Sequence, residues 1–370
     1  MSQDISAFVP PSCELLGWGE PTHQEPAFAR LRNELLPQLV ERGFRSVALE
    51  IDRVAALAVN DYVQEGVGTL DEVMRAGFSH DFGLLEGNRQ LVAWMREHNE
   101  GRPTPERLSL HGFDAPTETM SAPSPRPYLD YARDRLGLDV DFADLVGADD
   151  RWSRAEAVMD PAASPGATAE AAQLRVIADD MMTTLHARAP EMPREEWLRV
   201  KIHLAGALDL LRYHKQCARP LARAERLPLL TATRDALMAQ HLLDIRAIEA
   251  RRGPTLVYSH NLHLQRSPST MSMGANDVTF HSAGAIVGSL LGERYRVIVS
   301  SLGASTTIEL PEPEPDTYES LLQSRFPVWG LTTEVAPGRK RAPFNPMRGY
   351  FPLDQTLLDG TDVVLHVNTA

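Results

Sequence analysis

Two short stretches of this 370-residue chain hold side chains at spacings suited to moving protons. Residues 14–23 read ELLGWGEPTH, a strand-like run that delivers Glu20 and, three residues later, His23. A carboxylate within reach of an imidazole fixes its tautomer and raises its basicity, the two requirements of a general base. Gly17 and Gly19 are expected to let the backbone turn where a Cβ would be strained. Residues 255–263, TLVYSHNLH, run from a strand into His260 and His263, a pair on one turn suited to an oxyanion or a metal ion. Either motif alone is more often structural. Two further runs change that balance: RSVALEID at 45–52 ends in Glu50 and Asp52, and LSLHGFD at 108–114 closes on Asp114. In a parallel sheet such strand ends converge, and that edge is where open α/β sheets hold ligands.

The elements between these runs follow an alternating β/α pattern. A helix opens at Glu25-Pro26, with Phe28, Leu31, Leu35, Leu36 and Leu39 on its apolar stripe, and Gly43 closes it. Pro37 is expected to kink or divide that helix. Arg32 falls on the buried stripe, where a charge needs a partner, and pairing with Glu20, Glu50 or substrate is expected. His80 and His98 carry no motif and read as solvent or core residues. From about Ala115 to Pro228 the strand pattern stops: a linker, SAPSPRP, leads into helical segments near residues 128–136, 151–159, 167–189 and 194–218. The predicted fold class is therefore α/β, a central mostly parallel sheet flanked by helices, with a large helical insertion forming a lid over the active edge. Residues 1–118 and 229–370 form the two halves of the core, and 119–228 the insertion. Trp152, Met181, Met182, Trp197 and Tyr213 are candidates to line a cavity there, though most such residues are helix–helix core. A helix over 231–251, a strand over 255–259, a helix over 283–291 and strands over 295–300 and 362–367 complete the chain.

At 43% hydrophobic the chain can bury a sizeable core. A net charge of -13 without a basic cluster argues against a nucleic-acid surface. The two cysteines, Cys13 and Cys217, match neither a disulfide framework nor a zinc knuckle. No run approaches a membrane span and the N-terminus has no secretion signal, so the expectation is a cytoplasmic protein, monomeric or homodimeric, with a small-molecule partner.

Six stretches, GEPTH at 19–23, ALEIDRVAALAVNDYV at 48–63, LVAWMREHN at 91–99, HGFD at 111–114, RDALMA at 234–239 and VYSHNLH at 257–263, resemble the erythromycin esterase family in order and spacing. The likeness covers most of the chain and is weakest in the insertion and the last sixty or so residues. It implies that Glu20, His23, Arg32, Glu50, His260 and His263 surround the site. It also implies hydrolysis of a macrolactone ester by an activated water, without a covalent acyl-enzyme, a metal or another cofactor. Gln24, where the family often has glycine, and His241, where asparagine is usual, are departures outside the proposed catalytic positions.

On this reading His23 is the base, Glu20 orients it, and His260, His263 or Arg32 meets the oxyanion. Glu50 holds Arg32 or a second histidine in register. Asp114 and Trp18 are the expected substrate contacts. No motif places a Ser or Cys beside these groups. The alternatives are a metal-dependent hydrolase, as in the distantly similar Tiki/TraB-type proteases, and a natural-product tailoring enzyme performing cyclisation, elimination or transfer. A non-catalytic receptor is a third class, disfavoured by retention of both histidine motifs.

Overall fold

Every residue of β1 (Leu15–Glu20) is buried, because the strand lies between two parallel neighbours inside the sheet. The computed structural model describes residues 4–118, 120–273, 276–345 and 348–370. Among them, β2 (Ser46–Asp52), β3 (Ser109–Asp114) and β4 (Thr255–His260) precede a separate antiparallel hairpin of β5 (Ser269–Met273) and β6 (Asn276–Phe280). β7 (Tyr295–Ala304), β8 (Trp329–Thr332) and β9 (Val363–Thr369) complete a sheet of order β3-β2-β4-β1-β7-β9-β8. It is parallel throughout except for β8, which runs antiparallel to β9 at the edge. The mostly parallel sheet flanked by helices is thus the predicted architecture. The hairpin and β8 had no counterpart in the sequence reading.

Alternation along the strands sends side chains to two apolar layers. Leu16, Trp18, Leu49, Ile51, Leu256 and Tyr258 pack against the Pro26–Glu41 and Glu86–Asn99 helices. Leu15, Ala48, Val257, Val297 and Val299 pack on the other face against the Arg223–Glu249 and Ala283–Leu291 helices. The glycines of β1 serve close packing rather than a turn. A Cβ on Gly17 would meet the Tyr295 hydroxyl at 2.6 Å, and one on Gly19 would come within 2.8 Å of Asn261 Cα.

Glu25 caps the Pro26–Glu41 helix by accepting from the Ala27 amide at 3.0 Å, and Pro26 supplies the first turn. Pro37 lies inside one continuous helix and does not divide it. The segment 120–228 is helical, with its own core of Leu129, Phe142, Trp152, Leu174, Met181 and Leu204. Its last helix begins at Arg223 and runs unbroken past Pro228 to Glu249, so the expected boundary at 228 falls inside an element.

Candidate active site

The register of β1 against β4 sets Glu20 beside His260, and β2 aligns Leu49 with Tyr258, so Glu50 reaches the same edge. Glu20 follows Leu16 and Trp18 on one face, whereas Glu50 follows Ala48 on the other. The site therefore straddles the end of the sheet.

On the first face, His23 Nδ1–H donates to Glu20 Oε1 at 2.7 Å, and the Tyr258 hydroxyl donates to Glu20 Oε2 at 2.5 Å. The tautomer is fixed, and Nε2 keeps its lone pair. Burial drags the His23 imidazole down, but the Glu50 and Glu20 carboxylates outweigh it, and its pKa is raised above the ordinary histidine value. The Phe82 ring covers the imidazole at 4.7 Å between centroids. Arg32 is fully buried behind this group but pairs with no carboxylate among the described residues, which corrects the expectation. Its guanidinium donates to Asn33 Oδ1, Asn88 Oδ1 and the Gly87 carbonyl, and lies 4.5 Å from the centre of the Tyr258 ring. Amide oxygens and a π-face satisfy it as a carboxylate would.

On the second face Glu50 is the hub. Its Oε2 accepts from Ser259 Oγ at 2.5 Å and from the His260 amide at 3.1 Å. Oε1 accepts from Arg234 at 3.1 Å and lies 3.4 Å from His263 Nε2. Burial alone would raise this carboxyl; His263, His23 and Arg234 hold it well below the ordinary glutamate value. His263 Nδ1 donates to Asp235 Oδ1 at 2.9 Å. Burial lowers the His263 pKa, Asp235 and Glu50 raise it, and the net shift is upward. Two histidine–carboxylate dyads, Glu20–His23 and Asp235–His263, thus turn their Nε2 atoms toward one ionised glutamate. Arg234 also grips Asp114, which accepts from His80 at 2.9 Å.

His260 sits in the cleft but is committed elsewhere. Its Nδ1 accepts from the Leu262 amide at 3.1 Å, so Nε2 carries the proton and donates to the Pro21 and Gly349 carbonyls at 3.1 and 3.3 Å. Burial and the neighbouring His23 push its pKa down to about 3. It is a neutral clamp, with no donor left for an oxyanion. Two expected substrate contacts, Trp18 and Asp114, are fully buried among protein atoms and do not line the cavity beside His23. Trp18 lies within the core and donates to Ser300 Oγ at 3.1 Å, and Asp114 is fully covered by Arg234 and His80.

A cavity of about 110 Å³ opens beside the first dyad, its polar lining including Glu20, His23, Glu50, Asn88, Tyr258 and Ser259. Pro26, Ala29, Leu49, Ile51, Phe82 and Leu85 contribute its apolar lining. None of its lining comes from 119–228, so the expected lid does not wall this cavity. Trp152 and Met181 instead fill the core of the helical segment. Among the described residues no group of three or more His, Cys, Asp or Glu is arranged to hold a metal ion. The fixed cation beside Glu50 is the Arg234 guanidinium.

The sequence reading missed Arg234, Asp235, Tyr258, Ser259 and His80. Arg234 and Asp235 lay inside a recognised stretch, RDALMA, without an assigned role. Tyr258 and Ser259 likewise lay inside the VYSHNLH stretch without an assigned role.

An open parallel α/β sheet with a histidine–carboxylate centre at its carboxyl edge defines a class of enzyme scaffold. A profile of the erythromycin esterase family matches residues 39–362, and the chain belongs to that family, a family of hydrolases acting on esters. Solved structures share the fold. A Bacillus cereus protein matches with a TM-score of 0.70 at 15% identity, covering 99% of this chain and 90% of that one. A mutant of the erythromycin esterase EreC in its open conformation gives 0.68 at 18%, covering 99% and 93%. A succinoglycan biosynthesis protein gives 0.64 at 18%, covering 97% and 88%. No curated protein matches in sequence. No helix among the described residues is long and apolar enough to cross a membrane.

Proposed function

We propose that the protein hydrolyses an ester of a small-molecule natural product, open-chain or macrolactone, by attack of a water molecule deprotonated by His23. One observation carries the reading: Glu20 holds His23 at Nδ1, while Nε2 faces the ionised Glu50 beside an open cavity. With Nδ1–H committed, Nε2 is the atom free to accept the proton of a water, and such general-base help is worth roughly 10²–10⁴-fold in rate. The family name, and that of EreC, point to a macrolide ester as one substrate class.

The oxyanion is assigned to Arg234, whose Nε and Nη2 are held by Asp114 and Glu50 but whose Nη1 has only a long 3.4 Å contact with His263 Nε2. Arg32 and His260, by contrast, have their donors occupied. A donor aimed at that charge contributes about 10²–10³-fold. His263, held by Asp235 at Nδ1 and with its pKa raised, starts protonated at Nε2 as well and gives that proton to the departing alkoxide, the proton taken up by His23 restoring the balance when the acid leaves. Ser259 is not the nucleophile in this scheme. Its hydroxyl donates to Glu50 rather than to either dyad histidine, so it lacks the histidine partner that activates a serine. The mechanism calls for no cofactor.

The test is a panel of esters and lactones incubated in water enriched in heavy oxygen, with products and intact protein both weighed. The proposal expects acid and alcohol products, one heavy oxygen in the acid, and no mass added to the protein. An acyl adduct on the protein would transfer the role to Ser259. Products that lack the added water would favour cyclisation or elimination.

A further inference from the structure

The cavity against His23 is too small for the substrate that the family name suggests. Sites that enclose drug-sized ligands span roughly 300–1,000 Å³, whereas this one is about 110 Å³. Its walls are fixed by packing. The Pro26–Glu41 helix contributes Pro26 and Ala29, and the start of the Glu86–Asn99 helix crosses it so closely that a Cβ on Gly87 would meet Ala29 Cβ at 2.5 Å. Arg32 ties the two helices together by donating to the Gly87 carbonyl and Asn88 Oδ1. The lining joins the polar Glu20, His23 and Glu50 to the apolar Ala29, Leu49, Ile51 and Leu85. A molecule placed there has its reacting carbonyl at His23 and a hydrocarbon arm toward Ala29, Leu49, Ile51 and Leu85.

We infer that this cavity is a binding site for a short apolar arm attached to the reacting ester, and that it sets the protein's substrate size. A cavity of roughly 150 Å³ holds benzene, so by proportion this one admits an arm of about four carbons. A macrocycle does not fit, and the bulk of a larger substrate lies outside, past the exposed Gln24 and Glu86 at the rim. The inference rests on the proposed ester hydrolysis for its chemistry. The arm can belong to the acid or to the alcohol, and the two sources are separable.

The experiment uses the whole protein and two ester series, one with the acyl chain lengthened from two to ten carbons on a constant alcohol, the other with the alcohol lengthened on a constant acetyl group. Affinity for the matching non-hydrolysable amides is measured alongside by calorimetry, so that binding is read even without turnover. Each added methylene should improve kcat/KM and amide affinity by about fourfold, the value of burying one CH₂, up to about four carbons. Both should then fall, in one series only, which identifies the source of the arm. Leu85→Ala should move the optimum to longer chains, and Ala29→Leu should move it to shorter ones. Leu85→Ala makes room rather than adding bulk, so a fold defect in Ala29→Leu does not rescue the idea. A flat response to chain length, or a macrolactone processed as well as the best short ester, overturns the inference. If amides show the size optimum while no ester is cleaved, the site stands and the hydrolytic reading falls.

Discussion

His23 Nε2 faces Glu50 Oε2 across 3.7 Å, too far for a hydrogen bond yet close enough for full electrostatic effect. The imidazole therefore gains basicity from Glu50 without surrendering its lone pair to it. Glu20, at 2.7 Å on the other nitrogen, supplies orientation. Both carboxylates, on different faces of the sheet, raise the imidazole's basicity, and Glu20 alone also fixes its orientation.

The first consequence is a pH profile. A general base works only when unprotonated, so activity should fall as pH drops through the His23 pKa. Because that pKa is raised, the acidic limb of kcat/KM should lie above the unperturbed histidine value of about 6.5. Glu20→Gln removes one of the raising charges and should move the limb toward lower pH while reducing the plateau rate. A limb that stays in place in Glu20→Gln would remove Glu20 from the dyad.

Arg234 should matter to both stability and turnover. It bridges Asp114 and Glu50, both buried, so Arg234→Met strands two carboxylates at a cost of about 3–5 kcal/mol. The loss should appear as a lower denaturant midpoint, with Arg234→Lys restoring part of it. Unchanged stability in Arg234→Met would show that solvent already compensates these charges.

Much of this was legible beforehand. Glu20, His23, Glu50 and His263 announce themselves by standing just past apolar runs, and a parallel sheet then leaves little freedom about where they meet. Other residues were hidden for physical reasons. Tyr258 reads as one more apolar residue of a buried strand, and only the register of β1 and β4 brings its hydroxyl to Glu20. Arg234 and Asp235 sit mid-helix, where periodicity marks the buried face but not what lies opposite. Arg32 was rightly read as buried, yet the sequence could not reveal that Asn33, Asn88 and the Tyr258 ring would satisfy it. The helical segment was recognised from its missing strands, but its placement away from the cavity depends on tertiary packing.

Arg32 and Tyr258 form the support behind Glu20, and their loss should separate two effects. Arg32→Met leaves the amide oxygens of Asn33 and Asn88 without their donor and should lower stability by about 1–3 kcal/mol. Tyr258→Phe removes a single bond to a carboxylate and should reduce kcat about tenfold while leaving KM close to its original value. Both effects are read from denaturation curves and steady-state kinetics. A Tyr258→Phe protein with unaltered kcat would make that hydroxyl a packing detail.

The most direct test compares His23→Ala and His263→Ala for turnover of the best ester and for affinity toward its amide analogue. The account predicts that His23→Ala abolishes turnover while the amide still binds, and that His263→Ala leaves a measurable remnant. If His23→Ala retains the greater activity, the base is His263 with Asp235, and the roles assigned to the two dyads are reversed.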